Sequence, residues 1–307
     1  MTGILGSGFG LYGYLPAVVR AGKEKVVLLS KAREVFLRRP ELQFCEQHIE
    51  WVQDVRDLMQ KSSSVIFAVT PSAQSSYIKE YIPTRKFDQV ILEKPIGVSP
   101  TEAAIVLSLL AGNKISTRIG YTFLYTQWAQ ETIRYLRNIT AGAPFTLTWN
   151  FLAHHYKNDS TSWKRYNREG GGVLRFYGTQ VLAFLSVAGY DEVIKSECEG
   201  LTDNDLYLWR ASFSGPNLPR FDISINCYSN DERFTIFGSD KNFHGFDLVD
   251  PFENEGMGLP DRRLGTLGSV LASFEIENDQ DAFKSYNKTN DLWKNVEEKN
   301  VVTFKPH

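Results

Sequence analysis

The sequence has little cysteine and no long apolar run. Its 307 residues include only three cysteines, Cys45, Cys198 and Cys227, and no two of them have the spacing of a metal-binding or redox pair. No segment approaches the roughly 20 consecutive apolar residues that a membrane helix requires. These absences argue against a disulfide-stapled domain, a metal site and a membrane-spanning protein. We interpret the cysteines as reduced thiols of a cytoplasmic protein.

An excess of charge of either sign is also missing. The 34 Lys and Arg residues nearly balance the 36 Asp and Glu residues, and the formal net charge is -2. No basic field is therefore present that would attract nucleic acid or an anionic membrane. The first residues lack the basic, apolar and small-residue order of a signal peptide, which agrees with a cytoplasmic location.

The length and the apolar pattern predict two domains. Over residues 1–118, buried strand patterns such as Val65–Val69 and Gln89–Leu92 alternate with helical patterns such as Ser75–Tyr81. Continuous apolar strands separated by helices are typical of a parallel sheet with both faces covered. The first 118 residues are therefore predicted to form an α/β domain with a parallel sheet.

The pattern changes in the second part of the chain, residues 119–307. Longer alternating stretches occur there, including Phe145–Leu152, Leu206–Phe213 and Phe221–Cys227, and turn residues separate them. Alternation with period two indicates strands that have one buried face. This part is predicted to be an α+β domain with an open, mostly antiparallel sheet.

A glycine-rich turn, Gly6-Ser7-Gly8-Phe9-Gly10, follows the first strand directly and precedes a helical segment. Glycine allows a tight turn and lets backbone N–H groups approach a pyrophosphate closely. Counted from Gly8, the pattern Gly-x-Gly-x-x-Gly is completed by Gly10 and Gly13, whereas counted from Gly6 its third glycine position is Leu11. We favour Gly6 and Gly8 as the working pair because the strand stops at Gly6. The sequence thus predicts dinucleotide contacts at Gly6, Ser7, Gly8 and Phe9; the alternative is a turn without a ligand.

The end of the second strand bears on which dinucleotide fits. An acidic residue there would hydrogen-bond a ribose 2′-hydroxyl, but this strand ends at Ser30, Lys31 and Arg33. Cations pair with a 2′-phosphate. These three residues favour NADP as the cofactor, with NAD possible, and the alternative is a solvated basic helix start.

Three further motifs carry a resemblance to a known family. They are Ala68-Val69-Thr70-Pro71-Ser72, Glu93-Lys94-Pro95 and Gly170-Gly171-Gly172-Val173-Leu174. Together with the glycine-rich turn, they resemble the Gfo/Idh/MocA oxidoreductases from Gly3 to about Gly238. The resemblance implies an N-terminal Rossmann domain, a second domain with a mostly antiparallel sheet, and transfer of a hydride to or from a sugar, sugar nucleotide or related polyol. It also implies a homo-oligomer, a dimer or tetramer.

The resemblance assigns roles to individual residues. Lys94 matches the family lysine that contacts the cofactor and the substrate hydroxyls. Trp163-Lys164 resembles a Trp-Arg pair that approaches the cofactor. The cofactor contacts implied in this way are Gly6, Gly8, Phe9, Thr70, Pro71, Glu93, Lys94 and Trp163.

The sequence departs from the family at the usual acid/base. The family continues from the triple glycine into a helix with an Asp and, four residues later, a His, but this chain has Phe176 and Gln180 there. A second family histidine, near Gln74, is also absent. Because hydride transfer at an alcohol carbon needs a matching proton transfer at oxygen, another residue must supply it.

Lys94 and Tyr177 are the catalytic candidates. A lysine beside a cationic nicotinamide would have a lowered pKa, and a tyrosine near a lysine can act as an acid/base pair; the alternative for Tyr177 is a packed aromatic ring. Gln180 cannot titrate and is expected to orient a carbohydrate-like substrate. Tyr121 and His155 are further candidates for substrate binding; the alternative is core packing for Tyr121 and a surface or structural role for His155.

Two other functions remain open on these residues. The losses at Phe176 and Gln180 allow a dinucleotide-binding sensor or scaffold without catalysis. A cofactor-assisted lyase or glycosidase, in which transient oxidation activates an adjacent bond, would retain its cofactor and show no net change in it. An NAD(P)-dependent oxidoreductase acting on CH–OH groups is the first hypothesis, since Lys94 is retained.

Overall fold

The computed structural model describes residues 1–22, 25–139, 142–240, 242–255 and 261–304. The strands are β1 Thr2–Leu5, β2 Val26–Leu29, β3 Ile49–Val52, β4 Ser64–Phe67, β5 Gln89–Leu92, β6 Ser116–Ile119, β7 Phe145–Leu152, β8 Glu192–Thr202, β9 Asp205–Ser214, β10 Phe221–Asn226, β11 Tyr228–Gly238, β12 Phe246–Leu248 and β13 Asn300–Phe304. The α-helices are α1 Leu15–Arg20, α2 Arg33–Leu37, α3 Val55–Lys61, α4 Pro71–Tyr81, α5 Pro100–Gly112, α6 Gln127–Leu136, α7 His154–Lys157, α8 Thr179–Ala188, α9 Leu264–Ile276 and α10 Asp279–Lys299.

The chain divides into two compact units. Unit 1 comprises residues 1–97, 104–125 and 255–284, and unit 2 comprises residues 98–103, 126–254 and 285–307. The division at residue 118 that the sequence suggests falls within β6, while unit 1 continues to Tyr125 and takes in a segment from the C-terminal part of the chain.

Unit 1 contains a six-stranded sheet in the order β3-β2-β1-β4-β5-β6, and all five neighbouring pairs are parallel. This is the strand order of a dinucleotide-binding Rossmann domain. The residues of β1 and β2 are buried because helices cover both faces of a parallel sheet. The predicted Rossmann domain is confirmed.

Local sequence explains where the helices of unit 1 begin. Asp54 caps α3 by accepting a hydrogen bond of 2.9 Å from the Asp57 N–H, and Thr70 caps α4 in the same way from Ala73. Pro71 occupies the first turn of α4, where its missing N–H costs no helical hydrogen bond. The sequence places the start of α4 at Ser75, four residues late, because the cap and the proline precede the apolar pattern.

A buried arginine attaches α9 to the sheet. Arg118 in β6 is 1% exposed and donates to the Ser273 hydroxyl, to the carbonyls of Ser273 and Glu277, and to Asp279 Oδ1 at 2.7 Å. Leu264, Leu267 and Val270 of α9 join the core that packs against β1 and β2. A buried guanidinium is tolerated only when its donors are satisfied. The hydrogen bonds of Arg118 therefore link α9 and the residues that follow it to the sheet of unit 1.

Unit 2 contains a seven-stranded sheet in the order β12-β11-β7-β10-β9-β8-β13. Of its six neighbouring pairs, β7–β10 and β8–β13 are parallel and the other four are antiparallel. Trp128 of α6 packs against Phe184 of α8 and against Phe234 of β11, with ring centroids 5.3 and 4.8 Å apart. The predicted second domain with a mostly antiparallel sheet is confirmed.

Within the described ranges no helix has the length and apolarity needed to cross a membrane. The same residues contain no group of three His, Cys, Asp or Glu side chains that could hold a metal ion. Cys45, Cys198 and Cys227 are buried free thiols, and burial raises the pKa of each.

Candidate functional site

The glycine-rich turn contains one glycine that the fold requires and one that it does not. Gly6 has φ +129°, and a Cβ built on it would lie 2.1 Å from the Ala68 carbonyl oxygen. Around Gly8, in contrast, a Cβ would meet no atom within 4 Å. Ser7 and Gly8 are exposed. Packing therefore explains Gly6, and it leaves Gly8 with the open space that a ligand on the backbone would need.

Aromatic and cationic side chains lie beside this turn. The Arg263 guanidinium lies 4.4 Å from the centroid of the Phe9 ring and 5.6 Å from that of Tyr12, and Arg39 lies 4.9 Å from Tyr12. Asp261 binds Arg263 through both carboxylate oxygens, at 2.9 and 2.6 Å. The sequence gives no signal for this contact, because Phe9 and Arg263 are far apart along the chain.

The residues predicted to select NADP follow β2. Ser30 begins a short 3-10 turn, Ser30–Ala32, and Arg33 begins α2. Lys31 and Arg33 are exposed, and neither forms an ion pair with any residue that the structure describes. Their charges are therefore available to an anionic ligand at the carboxyl end of β2.

Thr70 and Pro71 follow β4, which lies between β1 and β5 in the sheet. The Thr70 hydroxyl accepts the Ala73 N–H, and Pro71 is buried in the first turn of α4. The motif therefore has a helix-capping role of its own. It also places both residues at the carboxyl edge of the sheet, where ligands bind in open α/β folds.

Glu93, Lys94 and Pro95 follow β5. The Tyr14 hydroxyl donates a hydrogen bond of 2.7 Å to Glu93 Oε1, and burial, followed by the charge of Glu93, raises the pKa of Tyr14 well above its ordinary value. The Gln74 side chain donates to the carbonyls of Glu93 at 3.0 Å, of Pro95 at 3.4 Å and of Ile96 at 3.1 Å. The turn that carries Lys94 is thus held from two sides.

Tyr121 follows β6, the last strand of the same sheet. Its side chain is 3% exposed, and burial raises the pKa of its hydroxyl. A tyrosine with a raised pKa stays protonated at neutral pH and can donate a hydrogen bond.

The triple glycine in unit 2 forms a tight turn. Gly170 and Gly172 have φ +84° and +74°, and a Cβ on Gly171 would lie 2.1 Å from the Trp163 carbonyl oxygen. The close approach places Trp163 and Lys164 against the segment that follows. The ring of Trp163 meets that of Phe176 edge to face, with centroids 5.3 Å apart.

A π-helical segment, Val173–Gly178, follows this turn and leads into α8. Arg175 fixes it by binding Glu297 through two hydrogen bonds, of 2.7 and 2.6 Å, and by donating to the carbonyls of Val98 and Asn167. Arg175 thus anchors the segment on which Phe176 and Tyr177 lie.

Tyr177 belongs to an aromatic cluster with Trp149, Phe151 and Phe176, at centroid distances of 5.6, 4.8 and 4.7 Å. Desolvation, followed by the neighbouring Cys227, raises the pKa of Tyr177 well above its ordinary value. Gln180, three residues on, is 4% exposed. The Tyr177 hydroxyl therefore stays protonated at neutral pH and can donate a hydrogen bond, and any role in proton transfer would need a neighbouring cation to lower its pKa.

His155 lies in α7, beyond the end of β7 at Leu152, so the alternation of side chains along a strand does not extend to it. It is buried, whereas His154 is exposed. Desolvation, followed by the charge of Arg165, lowers the pKa of His155 to about 4. Its Nε2 has no hydrogen-bond partner among the described residues. His155 is thus a neutral imidazole with one polar atom to satisfy.

Solved structures with a similar fold are known for this chain. No protein-family model matches the chain, and no curated protein matches it. The 3-ketoreductase KijD10 from Actinomadura kijaniata, solved with NADP and TDP-benzene, matches with a TM-score of 0.74 and 13% identity over 99% of each chain. An oxidoreductase from Thermotoga maritima matches with a TM-score of 0.73 and 15% identity over 97% of this chain and 95% of that one.

A third solved structure, GenD2 from gentamicin A biosynthesis in complex with NAD, has a TM-score of 0.70 and 12% identity, covering 97% of this chain and 94% of that one. At identities of 12–15%, these matches show the fold of the chain and do not assign the residues of its site. The chain is therefore similar in fold to these three solved structures.

Proposed function

We propose that this protein is an NAD(P)-dependent oxidoreductase of the Gfo/Idh/MocA family that transfers a hydride to or from a CH–OH carbon of a sugar, sugar nucleotide or related polyol. The observation that carries the proposal is the order of the segments along one sheet edge. The glycine-rich turn, Thr70-Pro71 and Glu93-Lys94-Pro95 follow β1, β4 and β5, which are neighbours in a parallel sheet.

The residues on this edge fit a dinucleotide. Open space at Gly8 lets a pyrophosphate approach the backbone, and the exposed charges of Lys31 and Arg33 fit a 2′-phosphate. NADP is therefore the proposed cofactor. Ser7, Phe9, Ser30, Thr70, Pro71, Glu93 and Trp163 are proposed as further contacts.

The nicotinamide supplies or accepts the hydride when it is bound, and the protein has to move the proton. In the oxidation direction, the substrate O–H proton passes to the Lys94 amine, the carbon loses its hydride, and the C–O single bond becomes a carbonyl. The reverse reaction returns both. Tyr177 is proposed as the partner that donates a hydrogen bond to the reacting oxygen, while Gln180, Tyr121 and His155 are proposed to orient the substrate.

The names of the structural neighbours support this chemistry. KijD10 is a 3-ketoreductase that was solved with NADP and TDP-benzene. Variants of that enzyme in which a lysine or a tyrosine is replaced have also been solved. Sugar nucleotides are consequently the substrate class that we propose to test first.

One observation favours a second candidate, a dinucleotide-binding sensor. Phe176 and Gln180 stand at the positions of the family's Asp and of the His that is its usual general acid/base, and neither side chain can titrate. A sensor would bind NADPH and would be indifferent to the loss of the Lys94 amine in any turnover assay.

The first experiment is a fluorescence titration of the purified protein with NADPH and NADH. The second follows absorbance at 340 nm with NADP⁺ or NAD⁺ and a panel of TDP-glucose, UDP-glucose, glucose 6-phosphate, glucose and myo-inositol. Lys94→Ala should lower turnover by at least about a hundredfold, the effect of losing a positioned proton-transfer group. Binding without turnover across the panel favours the sensor, and cofactor released only on denaturation favours the lyase.

Gln180→Ala separates orientation from proton transfer. A residue that only orients the substrate should raise KM more than it lowers kcat. A change in the shape of the pH profile would instead give Gln180 a part in proton transfer. The proposed dimer or tetramer is checked by light scattering on the same sample.

A further inference from the structure

The turn that carries Lys94 depends on a single amide group. Gln74 lies in α4, its side chain is 1% exposed, and its Nε2 lies within hydrogen-bond distance of three carbonyl oxygens, those of Glu93, Pro95 and Ile96. We infer that Gln74 is a positioning residue for Lys94, fixing the backbone on both sides of the lysine. This inference rests on the proposed role of Lys94 in proton transfer.

The three carbonyls flank the lysine. The Glu93 carbonyl belongs to the peptide that enters Lys94, and those of Pro95 and Ile96 follow it. The Gln74 amide has two N–H bonds for three carbonyl acceptors, so at least one N–H is shared between two carbonyls. All three carbonyls therefore contact the same atom of α4. The Thr70 side chain caps α4, and the backbone N–H of Gln74 donates to the Thr70 carbonyl at 2.9 Å. The first turn of α4, which holds the Gln74 side chain in place, is therefore rigid.

The orientation of the amide follows from charge. Turning the side chain over would place its oxygen against three carbonyl oxygens, which repel it. The Gln74 Oε1 atom has no hydrogen-bond partner among the described residues. Among the described residues, the Gln74 side chain therefore acts only as a hydrogen-bond donor. Neither a carboxylate nor an apolar side chain of the same size can donate to these carbonyls.

A second support acts on the same turn from a different element. The Tyr14 hydroxyl holds the Glu93 carboxylate at 2.7 Å. With this support intact, losing the Gln74 donor should loosen the Lys94 backbone without unfolding the sheet. A displacement of about 1 Å at a catalytic group can lower a rate by about a hundredfold.

The variants are chosen to separate a positioning role from a structural one. Gln74→Met keeps the side-chain length and removes the donor, and Gln74→Glu replaces the donor by an acceptor. The matched control is Ser76→Ala on the same helix, since among the described residues the Ser76 hydroxyl bonds only to the Ser72 carbonyl in its own helix. Lys94→Ala and the double variant Gln74→Met/Lys94→Ala complete a double-mutant cycle.

Two measurements are made on this set. The first is amide hydrogen exchange of the peptide covering residues 93–97, which needs no substrate. The exchange rate of this peptide should rise at least about tenfold in Gln74→Met. The exchange rate of the β4 peptide in the same variant, and that of the 93–97 peptide in Ser76→Ala, should stay unchanged. The second is kcat and KM with NADP⁺ and the panel sugar that turns over fastest. Gln74→Met should lower kcat by about 10- to 100-fold with KM within about threefold, and it should add nothing once Lys94 is gone.

The outcomes are distinguishable. A Gln74→Met protein with wild-type kcat, or losses that multiply in the double variant, overturns the inference and leaves the proposed role of Lys94 standing. Wild-type turnover in Lys94→Ala removes the proposed role itself, and the positioning role with it. Loss in both single variants, without further loss in the double variant, supports both.

Discussion

Tyr14 and Glu93 are 79 positions apart in the chain, and the Tyr14 hydroxyl donates to the Glu93 carboxylate at 2.7 Å within unit 1. The pair joins the helix after the glycine-rich turn to the turn that carries Lys94. Gly120 makes room for it, because a Cβ there would lie 2.4 Å from Glu93 Oε1 and 2.6 Å from the Tyr14 hydroxyl.

Gly120→Ala is therefore expected to break this hydrogen bond. The crowding should lower the free energy of unfolding by about 1–3 kcal/mol, as overpacking of an interior does. Urea unfolding measures the change. Gly112→Ala is the matched control, since a Cβ at Gly112 meets no atom within 4 Å. This substitution should leave the free energy of unfolding unchanged or raise it slightly. Equal stability of the two variants would show that the pair tolerates displacement.

Substitutions at Gly6 and Gly8 should separate folding from binding. Gly6→Ala puts a Cβ 2.1 Å from a backbone oxygen at φ +129° and should lower the free energy of unfolding by at least about 2 kcal/mol. Gly8→Ala meets no protein atom and should leave stability within about 0.5 kcal/mol of the wild type. It should nevertheless weaken NADPH binding at least about tenfold, because its methyl group occupies the space proposed for the pyrophosphate. Unchanged NADPH affinity in Gly8→Ala would falsify that placement.

The double substitution Lys31→Ala/Arg33→Ala tests the cofactor preference. Charge-assisted hydrogen bonds to a 2′-phosphate are worth about 1.5–3 kcal/mol, so the Kd for NADPH should rise about 10- to 100-fold. The Kd for NADH, which lacks this phosphate, should change by less than about threefold. Arg38→Ala removes an exposed charge that is paired with Glu34, at 3.6 Å, and controls for general electrostatics. Parallel losses for both nucleotides would place the phosphate elsewhere.

His155 should contribute a recognisable pH dependence to stability. Its pKa in the folded protein is lowered to about 4 by burial and by Arg165, while an exposed histidine titrates near about 6.5. The unfolded chain therefore takes up the proton first as the pH falls. The contribution is complete above about pH 6.5 and is lost toward about pH 4, at up to about 1.4 kcal/mol per pH unit.

Urea unfolding of the wild type, His155→Gln and His154→Gln between pH 7 and 4.5 measures this contribution. The slope against pH should become shallower in His155→Gln and stay unchanged in His154→Gln, whose imidazole is exposed. A wild-type slope in His155→Gln would show that the buried imidazole finds a partner for its proton.

Much of unit 1 could be predicted because its signals are local. The apolar run Gln89–Leu92 forms β5 with the predicted bounds, and the glycine-rich turn lies where β1 ends. The strand patterns Phe145–Leu152 and Phe221–Cys227 in unit 2 correspond to β7 and β10 for the same reason, since alternation reports burial of one face directly.

The long-range hydrogen bonds of unit 1 could not be predicted in this way. The hydrogen bonds of Gln74 to the Lys94 turn, the pairing of Tyr14 with Glu93 and the clamp of Arg118 on α9 join segments that are 19 to 161 positions apart. Nothing in a local pattern distinguishes these polar residues from surface ones. Only a pairing of sheet strands brings their partners into reach.

The sequence by itself determined the parallel and antiparallel domains, the glycine-rich turn and the cationic end of β2, because strand periodicity and turn chemistry depend on residues next to each other. Tertiary structure decided which glycine is required by packing, which tyrosines are buried donors, and what holds the lysine turn. Those properties depend on desolvation and on distances between residues remote in the chain, and both exist only once the sheet has assembled.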